Sequence, residues 1–348
     1  MEESLDNRML YFAIIGTGSI AGLHIEAIED IEDIEIVALC SSSPERAEVA
    51  EKQHEIVTYF DIETLFDETE VDAIIICTAS GDHLEPCLAA ARRGIHVLSE
   101  KPLEVTVDRA EQMIGVCEEN NVKLGCIFQS RFKPDYKRLK KAVDDKKLGK
   151  LLLGNAYIKW YRPEDYYSNS PWRGTFEGDG GAALINQGIH TIDLLQNVMG
   201  EVKSVTAKVK TTVHDIEGED LGVAMIEFEN GALGVIEGST ATYPGYPERL
   251  EVFGEKGSVI LEGGKVVAWN LKGKKGHKGG QAEMDKPDSG ASDPMAIDYA
   301  YHKFQIEDFV AAIREDRDPV VTGREGLKAL ALIRAIYESS DLEKRIEF

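Results

Sequence analysis

The sequence predicts two domains: an α/β domain built on a doubly wound parallel sheet, and an α+β domain with a large, mostly antiparallel open sheet. Three observations carry this. Up to about residue 127, short apolar runs without alternation are separated by helical stretches, the pattern of strands buried on both faces and joined by right-handed crossovers. Beyond it the runs are joined by turns such as Glu229-Asn230-Gly231 and Gly254-Glu255-Lys256-Gly257, as in antiparallel sheets. A length of 348 residues is also more than one typical domain needs. The division is placed at 1–127 and 128–348.

In the first domain, strands are predicted at 10–15, 35–39, 73–77, 96–99 and 123–126, with a short one near 57–59. Helices lie between them near 19–28, 44–54, 83–93 and 107–120. After Phe132-Lys133-Pro134 comes one further helix, then a strand over 151–160 and a helix over about 180–199. Strands follow at 202–213, 221–229, 232–240, 249–254, 258–262 and 265–269. Residues 271–294, rich in Gly, Lys and Asp, read as a surface loop, and helices near 302–314 and 324–339 close the chain. One helix layer covers one face of the second sheet, so a homodimer or homotetramer is expected to bury the other.

The formal net charge of -23 repels phosphate backbones and anionic lipid, which argues against nucleic-acid or membrane partners. The five cysteines, Cys40, Cys77, Cys87, Cys117 and Cys126, form no C-x-x-C pair and read as reduced thiols. With no signal peptide and no run of about 20 apolar residues, a cytoplasmic protein is expected. No metal site is called for.

The first strand runs into Gly16-Thr17-Gly18-Ser19-Ile20-Ala21, which opens a helix. In that context G-x-G-x-x-A reads as a dinucleotide turn of the Rossmann type: Gly16 permits the turn, Gly18 admits the pyrophosphate, and the helix N-terminus at Ser19 and Ile20 faces the phosphates. Thr78 and His83, beyond the strand at 73–77, are further cofactor candidates. The second strand ends in Cys40-Ser41-Ser42-Ser43-Pro44-Glu45-Arg46, without the acid that binds the adenosine ribose hydroxyls. Ser41, Ser42 and Arg46 suit a 2′-phosphate, so the reading leans to NADP over NAD. The competing role for these serines is to cap the next helix.

Glu100-Lys101-Pro102 follows the fifth strand, at the carboxyl edge of the sheet. There a lysine can shuttle the proton of a substrate hydroxyl, and Glu100 lies in reach of the nicotinamide ribose. In the segment 180–193, Asn186, His190 and Asp193 recur at i, i+4 and i+7 and would share one helix face beside Gly188. Arg131, Trp172 and Arg173, with the aromatic stretch Trp160-Tyr161-Arg162 and Tyr166-Tyr167, complete a candidate wall for a sugar ring.

These motifs together resemble the glucose–fructose oxidoreductase / inositol dehydrogenase (Gfo/Idh/MocA) family: Gly16 to Ala21 with His24, Glu100-Lys101-Pro102, and Gly188-Ile189-His190-Thr191-Ile192-Asp193. The resemblance spans almost the whole chain. It implies an NAD(P)-dependent oxidoreductase moving a hydride to or from a carbon of a sugar, inositol or related cyclic polyol, with Lys101 and His190 catalytic. It also implies that Asp193 contacts substrate hydroxyls. Many members carry Asp four residues before the histidine; here that position is Asn186, as in UDP-amino-sugar 3-dehydrogenases, which are the alternative reading. A non-catalytic dinucleotide or sugar sensor is the second alternative, against which the retained Lys101 and His190 argue.

Overall fold

The computed structural model describes residues 8–273, 277–278 and 299–348. Contacts divide the chain into two units: one runs up to Gln129 and includes Tyr299–Leu327, and the other runs from Ser130 through the second sheet and includes Lys328–Phe348.

The first unit alternates β1 (Leu10–Ile15), α1 (Ser19–Glu29), β2 (Ile34–Cys40), α2 (Pro44–His54), β3 (Thr58–Tyr59), α3 (Ile62–Glu68), β4 (Ala73–Ile76), α4 (Leu84–Ala91), β5 (His96–Ser99), α5 (Val107–Glu119) and β6 (Leu124–Cys126). Its six strands are parallel, in the order β3-β2-β1-β4-β5-β6. β1 and β4 are apolar and almost entirely buried, as central strands covered on both faces must be. The strand order reverses between β1 and β4, and the crevice outside the carboxyl ends there is where open α/β sheets bind ligands.

The second unit contains α6 (Pro134–Asp144), β7 (Leu151–Lys159), α7 (Glu164–Ser168), α8 (Ile189–Met199), β8 (Val202–Lys210), β9 (Leu221–Phe228), β10 (Leu233–Ser239), β11 (Arg249–Gly254), β12 (Gly257–Glu262), β13 (Lys265–Leu271) and β14 (His277–Lys278). The chain closes with α9 (Ala300–Arg314), α10 (Gly323–Leu342) and β15 (Ile346–Glu347). The second sheet runs β14-β13-β12-β11-β7-β10-β9-β8-β15. Among the described residues β7 and β10 pair in parallel and the other strands pair antiparallel. α8 packs on β7 and β11. The other face exposes Leu153, Val223, Met225 and Leu233, with Leu153 level with Leu233.

α9 belongs to the first unit: Ile306, Phe309, Val310 and Ile313 join Phe12, Ile14, Ile25 and Ile28 in one apolar core. Two points differ from the expectations. The helices α3 and α7 have no counterpart in the reading above, being short helices of seven and five residues. The helix expected over 180–199 is an α-helix only from Ile189; Ala183–Gly188 form a wider π-type turn. The loop expected over 271–294 lies mostly outside the described residues.

Candidate functional site

In the first unit the turn after β1 is built around Gly16, whose φ of 103° and close approach to β4 require glycine: a Cβ there would lie 2.5 Å from the Cys77 carbonyl oxygen. A Cβ at Gly18 would meet no protein atom within 4 Å. α1 starts after Gly18 with no side chain capping it and no acid in its first turn. Main-chain N–H groups at Ser19 and Ile20, with no side-chain cap and no acid beside them, suit the pyrophosphate of a dinucleotide. Close by, Thr17 Oγ1 and Ser41 Oγ are 2.9 Å apart. At the end of β2, Ser43 takes the capping role, accepting from the Arg46 N–H at 3.3 Å. Ser42 and Arg46 are exposed, and Arg46 Nη1 donates to Ser42 Oγ at 3.4 Å.

Glu100 ends the run from β5 and is buried. His24 Nε2, from α1, lies 2.8 Å from its Oε1, and the Lys101 main-chain N–H donates to its Oε2 at 3.1 Å. His302, from α9, stacks edge-on against His24 with ring centroids 5.3 Å apart. Burial opposes the charge of Glu100. The hydrogen bond from His24 and the electrostatic attraction of His24, His302 and Lys101 outweigh it and hold the carboxyl at about 2. Lys101 is half-buried. His83 is buried, and its Nδ1 lies 3.0 Å from the Pro102 carbonyl and 3.2 Å from that of Leu103. Burial pushes its imidazole pKa down. It braces the Lys101 loop from behind. Thr78 Oγ1 donates to the Asp82 carbonyl at 3.2 Å.

In the second unit His190 stands half-buried in the first turn of α8. Asn186 lies in the π-type turn before it, so a uniform 3.6-residue period does not relate 186 to 190 and 193. Asp193 enters an ion pair within the unit. It is 2% exposed and gripped by Arg131, whose Nε and Nη2 donate at 2.8 and 2.6 Å, a bidentate buried pair that ties α8 to the turn at 129–132. Both carboxylate oxygens thereby accept from Arg131. Trp172 and Arg173 are half-buried; the Arg173 guanidinium lies 4.4 Å from the Tyr166 ring centroid and 5.7 Å from that of Trp172.

Four groups of this unit, Asp179, Gln187, Arg162 and Glu219, escape sequence reading as parts of one arrangement. Asn186 Nδ2 donates to Asp179 Oδ1 at 2.5 Å, and Gln187 Nε2 donates to Asn186 Oδ1 at 2.5 Å. Arg162, 1% exposed, donates twice to Gln187 Oε1, at 3.1 and 2.6 Å. Glu219, just before β9, accepts the N–H of Leu184 at 2.6 Å and that of Ala182 at 3.1 Å, and its carbonyl accepts that of Ala183 at 2.9 Å. It holds the start of the π-type turn. Burial pushes the Glu219 carboxyl up to about 7, only partly offset by those N–H groups. No local pattern marks Asp179 or Glu219, because each acts on residues brought to it by the fold.

Residues 10–128 match the model of the oxidoreductase family, NAD-binding Rossmann fold, and residues 136–260 match that of the GFO/IDH/MocA C-terminal domain. The chain is 31% identical to the WlbA dehydrogenase of Bordetella pertussis, solved in complex with NADH and UDP-GlcNAcA. That match covers 98% of both chains with a TM-score of 0.87. It is 28% identical to a myo-inositol 2-dehydrogenase of Thermotoga maritima, over 95% of this chain and 96% of that one. It is 26% identical to a D-xylose 1-dehydrogenase [NADP(+)] of Haloarcula marismortui, over 99% and 95%.

Proposed function

The chain belongs to the GFO/IDH/MocA family and is an NAD(P)-dependent dehydrogenase acting on CH–OH groups of sugars or polyols; on that premise we propose which of its residues carry the reaction. A nicotinamide dinucleotide held at Gly16, Gly18 and the start of α1 would supply or accept the hydride. Lys101 takes the proton of the substrate hydroxyl, and His190 shares that proton traffic. The observation that carries this is the clamp of Glu100, kept ionised by His24, on the main-chain N–H of Lys101. A lysine needs a fixed backbone and a steady local field to act as a proton shuttle at one place. Asn186 orients a substrate hydroxyl without ionising, and Trp172 and Arg173 border the sugar.

The leading substrate class is a free sugar, inositol or related cyclic polyol. A UDP-linked amino sugar is the second reading, and one observation favours it. Asp193, the residue the family resemblance assigns to inositol hydroxyls, is engaged by Arg131, and Asn replaces the acid at 186. The cofactor reading leans to NADP, supported by exposed Ser42 and Arg46 and the missing acid after β2. We further propose a homodimer or homotetramer through the face carrying Leu153, Val223, Met225 and Leu233.

The test is dinucleotide reduction by the purified chain on myo-inositol, D-xylose and UDP-GlcNAcA, each with NAD and with NADP. Turnover confined to UDP-GlcNAcA replaces the leading substrate class by the second. In the same assay Arg46→Ala is expected to raise the KM for NADP about tenfold, the worth of one charge-assisted hydrogen bond, and to leave NAD unchanged. Equal effects on both cofactors remove the lean to NADP.

A further inference from the structure

The amide at position 186 does not act alone. Arg162 can only donate hydrogen bonds and an ionised Asp179 can only accept them. Between these ends lie two side-chain amides, and the chemistry of the ends dictates how both must point. Gln187 turns its oxygen to the two donors of Arg162 and its nitrogen to Asn186. Asn186 then turns its oxygen to Gln187 and its nitrogen to Asp179. All four residues are at most 8% exposed. Both ends are anchored elsewhere. Arg162 Nη1 donates to the Tyr161 carbonyl at 2.9 Å, and its guanidinium lies 5.1 Å from the Trp160 ring centroid. Asp179 Oδ2 accepts the Gly174 N–H at 3.0 Å. Gln187 Nε2 has a second acceptor in Tyr166 Oη at 2.8 Å.

We propose that Asp179 is a positioning residue of the substrate half: through this one-way relay from Arg162 it fixes the Asn186 amide, and it supplies the carboxylate that position 186 lacks. The inference rests on the reading that Asn186 faces the substrate. It also gives a physical reason for asparagine at 186. An aspartate there would set two carboxylates within hydrogen-bond distance, and such a pair cannot hold both charges near neutral pH. With Asp179 already in place, an amide is the group that satisfies both neighbours.

The relay has a useful symmetry. If the two residues trade identities, the carboxylate now at position 186 accepts from Gln187 and from the new amide at 179, whose oxygen still accepts from Gly174. Every hydrogen bond named above survives the exchange, whereas each single change breaks one. The experiment compares the wild-type chain with Asp179→Asn, Asn186→Asp and the double exchange. Thermal midpoints are read from pH 5 to 8, and kcat and KM on the substrate of the panel that wild type turns over.

Each single variant is expected to lose on the order of 100-fold in kcat/KM, the scale for a misplaced contact group. Asn186→Asp alone should also show a midpoint that falls as the pH rises, when the shared proton leaves. The double exchange should regain a flat midpoint profile and most of the lost kcat/KM. A double exchange no better than the worse single variant, in midpoint and in rate, overturns the relay. Recovery of the midpoint with wild-type kcat and KM in all four proteins overturns instead the underlying reading that residue 186 meets the substrate, and Asp179 with it as a positioning residue.

Discussion

Glu100 in the dinucleotide unit and Glu219 in the substrate unit are both buried, at 6% and 3% exposure, yet they stand at opposite ends of the carboxylate range. Glu100 is held at about 2 and Glu219 is pushed up to about 7. Removal from water penalises both charges alike. The difference lies in the partners. Glu100 has an imidazole at 2.8 Å and feels Lys101 and His302, whereas Glu219 is met by neutral donors, the N–H groups of Ala182 and Leu184 among them. Neutral dipoles offset part of a buried charge's cost, and opposite charge reverses it. One unit thus carries a permanent negative charge beside Lys101, and the other carries a group that changes charge near neutrality at the root of the turn leading to His190.

The largest effect tests what the permanent charge is for. Lys101→Ala is expected to lower turnover by about two to four orders of magnitude, the range for a lost acid–base group, with dinucleotide affinity little changed. Titration of the variant with NADH beside its turnover reads both, and near-wild-type turnover would refute the role given to Lys101.

The next tests what keeps Glu100 charged. His24→Leu removes the imidazole and leaves the buried carboxylate without that hydrogen bond, a loss of about 1.5–3 kcal/mol at pH 7. The folded pKa of Glu100 lies below its ordinary value of 4.5, so its contribution is present above pH 4.5 and is lost as the pH falls towards 2. Urea denaturation of wild type and variant should therefore show a deficit that shrinks over that window. A deficit independent of pH would make His24 a packing residue only.

The smallest effect has the opposite sign. Glu219 binds its proton more tightly folded than unfolded, so it costs stability as the pH rises from 4.5 to about 7. The full cost, about 3 kcal/mol, is present above that window and absent below it. Glu219→Gln removes the cost and one hydrogen bond worth about 1 kcal/mol. The variant should be about 1 kcal/mol less stable than wild type near pH 4.5 and about 2 kcal/mol more stable at pH 8. Parallel stability profiles for the two proteins would show that Glu219 does not titrate in this window, and the contrast with Glu100 would collapse.

Local chemistry decides much of the backbone. The bounds of β1, α2, β5 and β11 follow from unbroken apolar runs, from Ser43-Pro44 at a helix start and from turn residues, so reading and structure coincide there. Gly16 was legible because its φ and its approach to Cys77 tolerate no side chain, and Glu100-Lys101 because a motif placed it at a strand end. Which polar group meets which is settled by the folded chain. The pairing of Arg131 with Asp193 is one such match, and the 186–190–193 stripe assumed a uniform α-helical period that the π-type turn breaks. That turn is anchored by Glu219, more than thirty residues further along the chain, and Asn186 takes its orientation from Asp179 and Arg162. Periodicity and backbone conformation belong to neighbouring residues and are written in their order. The charge of a buried carboxylate and the direction of a buried amide belong to partners that come together only when the chain has folded.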